Sequence, residues 1–389
     1  MKTIQISKQE NNIDEKEIRI AIAGLGNCAS ALIQGLEFYK NIKEEDMYIK
    51  GLMNPSIGGY LPRHIKVVAA FDVAKTKIFK DISEAIYAEP NCCQAIINQK
   101  DMPFLGAKCY PGPISDGLYK SDDGKISTYE YFKAYDENEI KPVDVTQTLI
   151  ENQAEILINL LPVGSYEASR LYAQAAIDAG CGFINAIPEF IVSEQVDGDK
   201  NWVAEFEKKG LPCAGDDIKS QVGATLTHRV LSKMFLDRGV IITDTYQLNI
   251  GGNGDFYNMK SEQRLATKRK SKTSAVASVL PYPINCRIGP SDYVPFLEDK
   301  KICYIRIEGK TYGNLPLMLD LKLRVEDSPN SAGVILDIIR VMKLALDRGI
   351  SGRLESISSF SFKHPHIQPS SDFIAKKWVA EFIENKRER

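Results

Sequence analysis

Five short apolar runs, each ending in a loop of glycine, proline or carboxylate residues, constrain this chain more than any other feature. They are residues 18–23 (IRIAIA), 66–71 (KVVAAF), 155–161 (EILINLL), 182–186 (GFINA) and 211–215 (LPCAG). Runs this short and this continuously apolar suit strands buried on both faces of a parallel sheet. Helix-like stretches at 143–152 and 166–179 stand between them, and the repeated strand–loop–helix order predicts an α/β fold with a doubly wound parallel sheet. In such sheets ligands gather at the carboxyl ends of the strands. The loops after the runs are therefore the first candidates for a site.

The first run opens into Gly24-Leu25-Gly26-Asn27-Cys28-Ala29 and then a helix-like ALIQGLEFY. Strand, glycine turn and helix come in the order that dinucleotide binding requires. The glycines permit a tight turn and close approach of a pyrophosphate, and the helix start offers free N–H groups. Asp72 ends the second run. An acid there can bond ribose hydroxyls and disfavours a 2′-phosphate, which points to NAD over NADP; the bland alternative is an ordinary strand-end aspartate. The glycine-to-acid gap exceeds the usual twenty or so residues, and the excess falls in a polar stretch at 42–64 that reads as a loop. Residues 82–120 show no strong period.

At 389 residues the chain is too long for one small core, so two domains or one domain with an insertion are expected. A formal charge of −2 argues against nucleic acid as the main partner. The longest apolar runs are strand-sized, so no membrane span is expected. The polar start, MKTIQISKQENNIDEKE, reads as a flexible tail on a cytoplasmic protein. Eight cysteines lack CxxC spacing and fit a reducing compartment, and four histidines form no zinc-ligand pattern.

From about Gly239 the texture changes. VIITDTYQLNIGG, KICYIRIEGKTY and LMLDLKLRVED alternate apolar and polar residues, as antiparallel strands with one exposed face do. A helical period follows over 332–347, and a last helix is expected at about 372–385. Between these strands lies NIGGNGDFYNMKSEQRLATKRKSKT, where Lys260, Arg264, Lys268, Arg269, Lys270 and Lys272 crowd together with Glu262 as the acid inside the run. A solvated helix face is one reading and an anion site the other. A lysine among cations also has reason for a lowered pKa, which suits proton transfer. Asp216-Asp217 and Asp327-Ser328-Pro329-Asn330 read first as helix caps, and Lys363 is a lone lysine in an apolar setting.

Taken together, GLGNCASALIQG, NLLPVGS, GDDIKSQVGATLTHR, NIGGNGDFYNM, TKRKSKT, IGPSDYV, EDSPNSAG and FKHP resemble myo-inositol-1-phosphate synthase, in the shorter form of actinobacteria and archaea. The resemblance runs in one order from about Ile18 to the C-terminus. It implies an NAD-dependent isomerase acting on a sugar phosphate, D-glucose 6-phosphate, to give 1D-myo-inositol 3-phosphate. Oxidation at C5 acidifies C6, the C6 enolate attacks the C1 aldehyde, and the hydride returns to C5. Whether a divalent metal or a monovalent cation assists stays open.

Residue by residue, the resemblance puts Lys268 and Lys272 on the lysines of an SKxxSK-like motif, with Thr267 for the leading serine. Lys363 falls on an FKSP-like element, with His364 for serine, which overturns the bland reading of that lysine. A fourth active-site lysine is best matched by Lys301, with Lys300 one position away. Asp217 and Asp327 match two active-site acids. Cofactor contacts are expected from Gly24, Leu25, Gly26, Asn27, Cys28, Ala29 and Asp72, from Leu161, Pro162, Val163 and Ala186, and from Asp217 and Lys219. Asn249, Gly252, Asn253 and Asp255 should line the sugar pocket with Lys268 and Lys272. The implied division is a tail at 1–17, a Rossmann domain at 18–239, an inserted catalytic and tetramerisation domain at 240–327, and a returning segment at 328–389. The resemblance also implies a homotetramer. The rivals are an NAD oxidoreductase that releases NADH, a paralogue closing a five-membered ring from fructose 6-phosphate, and a non-catalytic binding protein.

Overall fold

The computed structural model describes residues 16–117, 132–194, 197–198, 200–258 and 275–389. The chain lays down β1 (Ile18–Ala23), β2 (Ile65–Asp72), β3 (Lys108–Pro111), β4 (Ile156–Asn159), β5 (Gly182–Asn185) and β6 (Pro212–Ala214). It then builds a second sheet from β7 (Ile241–Gly251), β8 (Asn285–Tyr293), β9 (Lys300–Lys310) and β10 (Pro316–Glu326), and returns to the first as β11 (Gly352–Arg353). The first sheet has the order β11-β6-β5-β4-β1-β2-β3, with every pair parallel. All five apolar runs are strands of this sheet, as their composition predicts.

Strand order reverses at β1, which has β2 on one side and β4 on the other. Ala23 is level with Phe71 and with Asn159, so the turns that follow three strands emerge together. A crevice at such a switch point is where α/β sheets bind ligands. Alternate side chains of β1 explain the two cores. Ile20 and Ile22 join Ile158 and Ile184 under the helices Asn27–Phe38 and Asp327–Asp347. Ala21 and Ala23 join Leu157 and Phe183 under the helix Tyr166–Ala179. Each fully buried isoleucine contributes about 1.5–3 kcal/mol.

In the second sheet β9 pairs antiparallel with both β7 and β10, as the three alternating stretches predict. The fourth strand, β8, runs parallel to β7, with a register shift between Asn249 and Ile250. Its sequence, NCRIGPSDY, does not alternate, and Pro290 sits beside that shift on an edge strand, where a missing N–H is tolerated. The short edge strand β3 was equally hidden, lying in the stretch without a period.

Two expectations are corrected here. The helix expected from residue 332 begins at Asp327 and includes Pro329 in its first turn, where proline is acceptable. Asp327 is thus a first-turn residue and not a cap. No helix follows Asp216-Asp217 directly either, since the next one starts at Ala224.

The 42–64 stretch, expected as a loop, is tethered from the far end of the chain. Arg340 is fully buried, pairs with Asp337, and donates to the carbonyls of Asn54 (2.8 Å) and Pro55 (2.9 Å). Asn54 Nδ2 donates to Asp337 at 2.6 Å. Removing one partner of a buried pair strands the other. Arg340→Met should therefore lower stability by about 3–5 kcal/mol in urea unfolding, and a loss below about 1 kcal/mol would contradict this account.

Candidate active site

A cavity of about 320 Å³ lies between the carboxyl edge of the parallel sheet and the ends of β7 and β9. One wall is Gly24, Gly26, Asn27 and Cys28 after β1, Asp72, the 160–163 turn after β4 and the 186–188 turn after β5. Asn253, Asp255, Lys301, Asp327 and Ser328 face it, and Asp217 and Lys363 close one side.

The glycine turn is built as a cradle. Gly24 has φ +89°, and a Cβ there would sit 2.7 Å from the Leu160 carbonyl oxygen, so the turn itself demands glycine. Gly26 is different. A Cβ there would meet nothing within 4 Å, so its bareness leaves room on the cavity side. The helix Asn27–Phe38 starts with no side-chain cap, which leaves its first-turn N–H groups to a ligand. Asp72 braces the turn, accepting from Leu25 N–H at 2.9 Å and Ala74 N–H at 2.8 Å. An open glycine, an uncapped helix start and an acid after β2 fit a dinucleotide. Leu25 and Ala29, expected as contacts, are fully buried behind the wall.

Sequence reasoning missed part of this end of the cavity. Lys77 is buried and donates to the Leu25 carbonyl (2.9 Å) and Asn91 Oδ1 (2.8 Å), with its ammonium 3.5 Å from Asp72. Asn91, Pro113, Asp116 and Phe132 come from a stretch to which no motif pointed. Asn27 anchors that stretch by accepting from the N–H groups of Cys92 (2.8 Å) and Cys93 (3.1 Å).

Lys363 reaches the cavity because residues 361–364 run antiparallel to 216–219. Lys363 N–H donates to the Asp217 carbonyl at 2.7 Å and Lys219 N–H to the Ser361 carbonyl at 2.8 Å. The Lys363 ammonium then lies 2.8 Å from Asp217 Oδ1, and Asp217 is 1% exposed. His364, in place of serine, stacks on Phe190 with ring centroids 4.1 Å apart. Asp216 turns the other way and holds the 185–193 loop, accepting from Asn185 Nδ2 (2.7 Å), Ser193 N–H (2.8 Å) and Ser193 Oγ (2.7 Å).

Lys219 was expected at the cofactor, and it points away from it. Its ammonium donates to the Ser359 and Phe360 carbonyls and pairs with Asp372 at 3.0 Å, and burial pulls its pKa down to about 8. Asn249 likewise faces β8, donating to the Gly289 carbonyl at 2.7 Å. Gly252 packs on protein, since a Cβ there would lie 2.5 Å from Glu298 N. Neither lines the cavity among the described residues. Lys268 and Lys272, with Lys260, Arg264, Arg269 and Lys270, lie outside the described residues.

Of the two neighbouring lysines, Lys301 lines the cavity, 3.0 Å from Asp327 Oδ1, and Lys300 lies 3.9 Å from Glu298. Burial, then the charge of Asp327, raises the pKa of Asp299 to about 6. Burial raises Cys28 to about 12, followed by Asp299 and Asp327, so the thiol is neutral and inert at ordinary pH. Among the described residues no three His, Cys, Asp or Glu side chains are grouped to hold a metal ion. No helix among them is long and apolar enough to cross a membrane.

A dinucleotide cradle beside two carboxylate-held ammonium groups can pair hydride transfer with proton movement and oxyanion stabilisation. Known proteins share this chain's sequence and fold. A family model described as myo-inositol-1-phosphate synthase matches residues 223–328. The chain is 46% identical over 377 residues to an inositol-3-phosphate synthase of Mycolicibacterium smegmatis, across 95% of this chain and 98% of that one. It is 46% identical over 375 residues to one of Corynebacterium glutamicum, across 94% and 98%. A solved structure, the crystal structure of Ari2, is 32% identical with a TM-score of 0.74, across 95% of this chain and 98% of its own.

The two glycines separate fold from ligand. Gly26→Ala should weaken NADH binding at least about tenfold, or about 1.4 kcal/mol, in a fluorescence titration, with its melting temperature kept. Gly24→Ala should lower the melting temperature first. Unchanged NADH affinity in Gly26→Ala would remove this turn from the binding site.

Proposed function

The chain belongs to the inositol-3-phosphate synthase family, and we propose that the cavity between its two sheets is where the family reaction takes place. The reaction converts D-glucose 6-phosphate to 1D-myo-inositol 3-phosphate within one active site. NAD bound along the glycine turn would take hydride from C5 of the sugar and return it after ring closure. The observation that carries the reading is the convergence of Lys363–Asp217 and Lys301–Asp327 on one cavity beside that turn.

Each pair has a task in this chemistry. Ring closure develops negative charge first on an enolate oxygen and then on the alkoxide from the C1 aldehyde. Ammonium groups fixed in advance stabilise such charge without reorganising. Lys363, held by Asp217 next to the 186–188 turn, is assigned to the oxygen at C5. Lys301, held by Asp327 on the opposite wall, is assigned to an oxygen at the closing bond. Asn253 and Asp255 are assigned to sugar hydroxyls, and Lys268 and Lys272 to the phosphate and enolate. Exclusion of water from this cavity would protect the keto intermediate.

We propose further that residues 18–239 with 328–389 form the NAD-binding domain, with residues 240–327 inserted as the catalytic and tetramerisation domain. Of the tail expected at 1–17, residues 1–15 lie outside the described residues, and Glu17 pairs with Arg19 at 2.7 Å. A homotetramer is supported by β10 at the sheet edge, by the exposed apolar side chains Ile241 and Met318 on that sheet, and by Leu315 just before β10. Cytoplasmic residence is part of the same proposal, supported by eight cysteines without CxxC spacing, which fit a reducing compartment.

Incubation with NAD and either glucose 6-phosphate or fructose 6-phosphate, with products identified by NMR, tests the reading. Inositol phosphate from glucose 6-phosphate without net NADH is expected. No cyclitol from that substrate would overturn it, a five-membered cyclitol from fructose 6-phosphate would mark a paralogue, and stoichiometric NADH a simple oxidoreductase. In the same assay Lys363→Ala should keep NAD binding and lose at least about a hundredfold in turnover; undiminished turnover removes Lys363 from the mechanism.

A further inference from the structure

Asp299 touches none of the space that a ligand would occupy, yet it bonds to both sides of the lysine that does. Its side chain is 1% exposed, and it is two residues before Lys301. Asp299 Oδ1 accepts from Asn253 Nδ2 at 3.0 Å and from Ser328 Oγ at 2.8 Å. Its Oδ2 accepts from Ser328 N–H at 3.1 Å, and its carbonyl from Asp327 N–H at 2.9 Å. One residue therefore fastens the turn after β7 to the first turn of the helix Asp327–Asp347.

Both attachments lead to the Lys301 ammonium. Through the helix start, Asp299 fixes the backbone of Asp327, whose Oδ1 is 3.0 Å from Lys301 Nζ. Through Asn253 it fixes the next helical turn, because Asn253 Oδ1 accepts from Phe256 N–H at 3.3 Å. The Phe256 ring then lies 5.7 Å from Lys301 Nζ, within cation–π range. A four-carbon stem leaves an ammonium free to wander, and these neighbours confine it from two directions.

We propose that Asp299 is a positioning residue for Lys301: it aligns Asp327 and Phe256 around the ammonium, and so sets where that charge is presented in the cavity. A buried carboxylate with no cation paired to it among the described residues is unfavourable unless its lone pairs are filled. Here three side-chain and backbone donors fill them, and each donor belongs to a residue that lines the cavity or adjoins it. The thiols of Cys28, Cys92 and Cys93 and the carboxylate of Asp327 also face this charge. Ser328 extends the connection to the cofactor side, since Cys28 Sγ of the glycine turn is 3.8 Å from Ser328 Oγ. The inference rests on the reading of the cavity as the site of ring closure.

Asp299→Asn is the sharpest test. An amide has one acceptor oxygen where the carboxylate has two, so its NH2 must face either the Ser328 N–H or the Asn253 NH2, donor against donor. We expect kcat on glucose 6-phosphate to fall at least about tenfold, as a reacting group shifts by a fraction of an ångström. The affinities for NADH and for glucitol 6-phosphate, a polyol without the reacting aldehyde, should stay within about threefold of wild type. A second measurement does not depend on turnover. Reductive methylation followed by peptide mass spectrometry should show Lys301 losing its protection in Asp299→Asn while Lys363 keeps its rate. Equal Lys301 labelling in the two proteins, or a kcat within about twofold of wild type, would overturn the proposal. So would NADH affinity falling in step with kcat, which marks general disruption. If the wild type forms no cyclitol, the functional reading fails and the labelling still decides the role of Asp299. Should Asp299→Asn not fold, Ser328→Ala removes the Oγ contact to Asp299 and leaves the backbone N–H bond: faster Lys301 labelling supports the proposal, and an unchanged rate overturns it.

Discussion

Four backbone hydrogen bonds tie residues 216–219 to residues 361–364, and the site depends on them. They are strand-like bonds between segments more than 140 positions apart, so closing them removes a large amount of chain entropy. What offsets that loss is visible on either side. Phe362 is fully buried and Ile218 nearly so, both in the core beneath the Asn27–Phe38 helix. Behind the bonds, Lys219 pairs with Asp372, which also accepts from Arg229 at 3.0 Å. The last helix is thereby anchored to the underside of the loop that carries Asp217. Lys219 looks like a site residue by position, and its work is to hold the site's backing in place.

This arrangement explains what could be read from the sequence and what could not. Strands buried on both faces announce themselves by composition alone, so the parallel sheet and its loops were legible in IRIAIA, EILINLL and GFINA. The glycine turn was legible for the same reason, because its chemistry is local. β3 and β8 were not, since a four-residue edge strand and a bulged strand containing Pro290 carry no period. Nor could spacing show that Asp327 holds Lys301, because β9 and β10 intervene and only their antiparallel register brings Lys300 opposite Glu326. The resemblance supplied the names of the acids and lysines; the pairing among them is a property of the folded chain.

Where sequence reasoning went astray, it treated neighbours in a motif as neighbours in space. Asn249 and Gly252 shortly precede Asn253, yet one braces β8 and the other leaves room for the backbone of Glu298. The chain leaves β7 at Gly251 and turns into the helix Gly254–Asn258, so a contiguous motif does not deliver all its members to one cavity. Asp216 and Asp217 make the same point, since one carboxylate organises the 185–193 loop and the other meets Lys363.

The two ammonium groups must also be set relative to one another, and for that the Asp327–Asp347 helix is decisive. Lys363 and Asp217 belong to the parallel sheet and its returning segment, and Lys301 belongs to the second sheet. The helix begins at Asp327, beside Lys301, and runs for 21 residues, or about 32 Å. Further along, Ile335, Ile338, Ile339 and Met342 pack in one core with Ile158 and Ile184 of β4 and β5. A rod fixed at one end by the core of the parallel sheet and at the other by Asp299 transmits the position of one sheet to the other. The tolerance of a charge-stabilising site is well under an ångström. A side chain on an untethered loop would not meet it. The register of Lys301 against Lys363 therefore follows from packing along this helix, and the chemistry inherits its geometry from an apolar core.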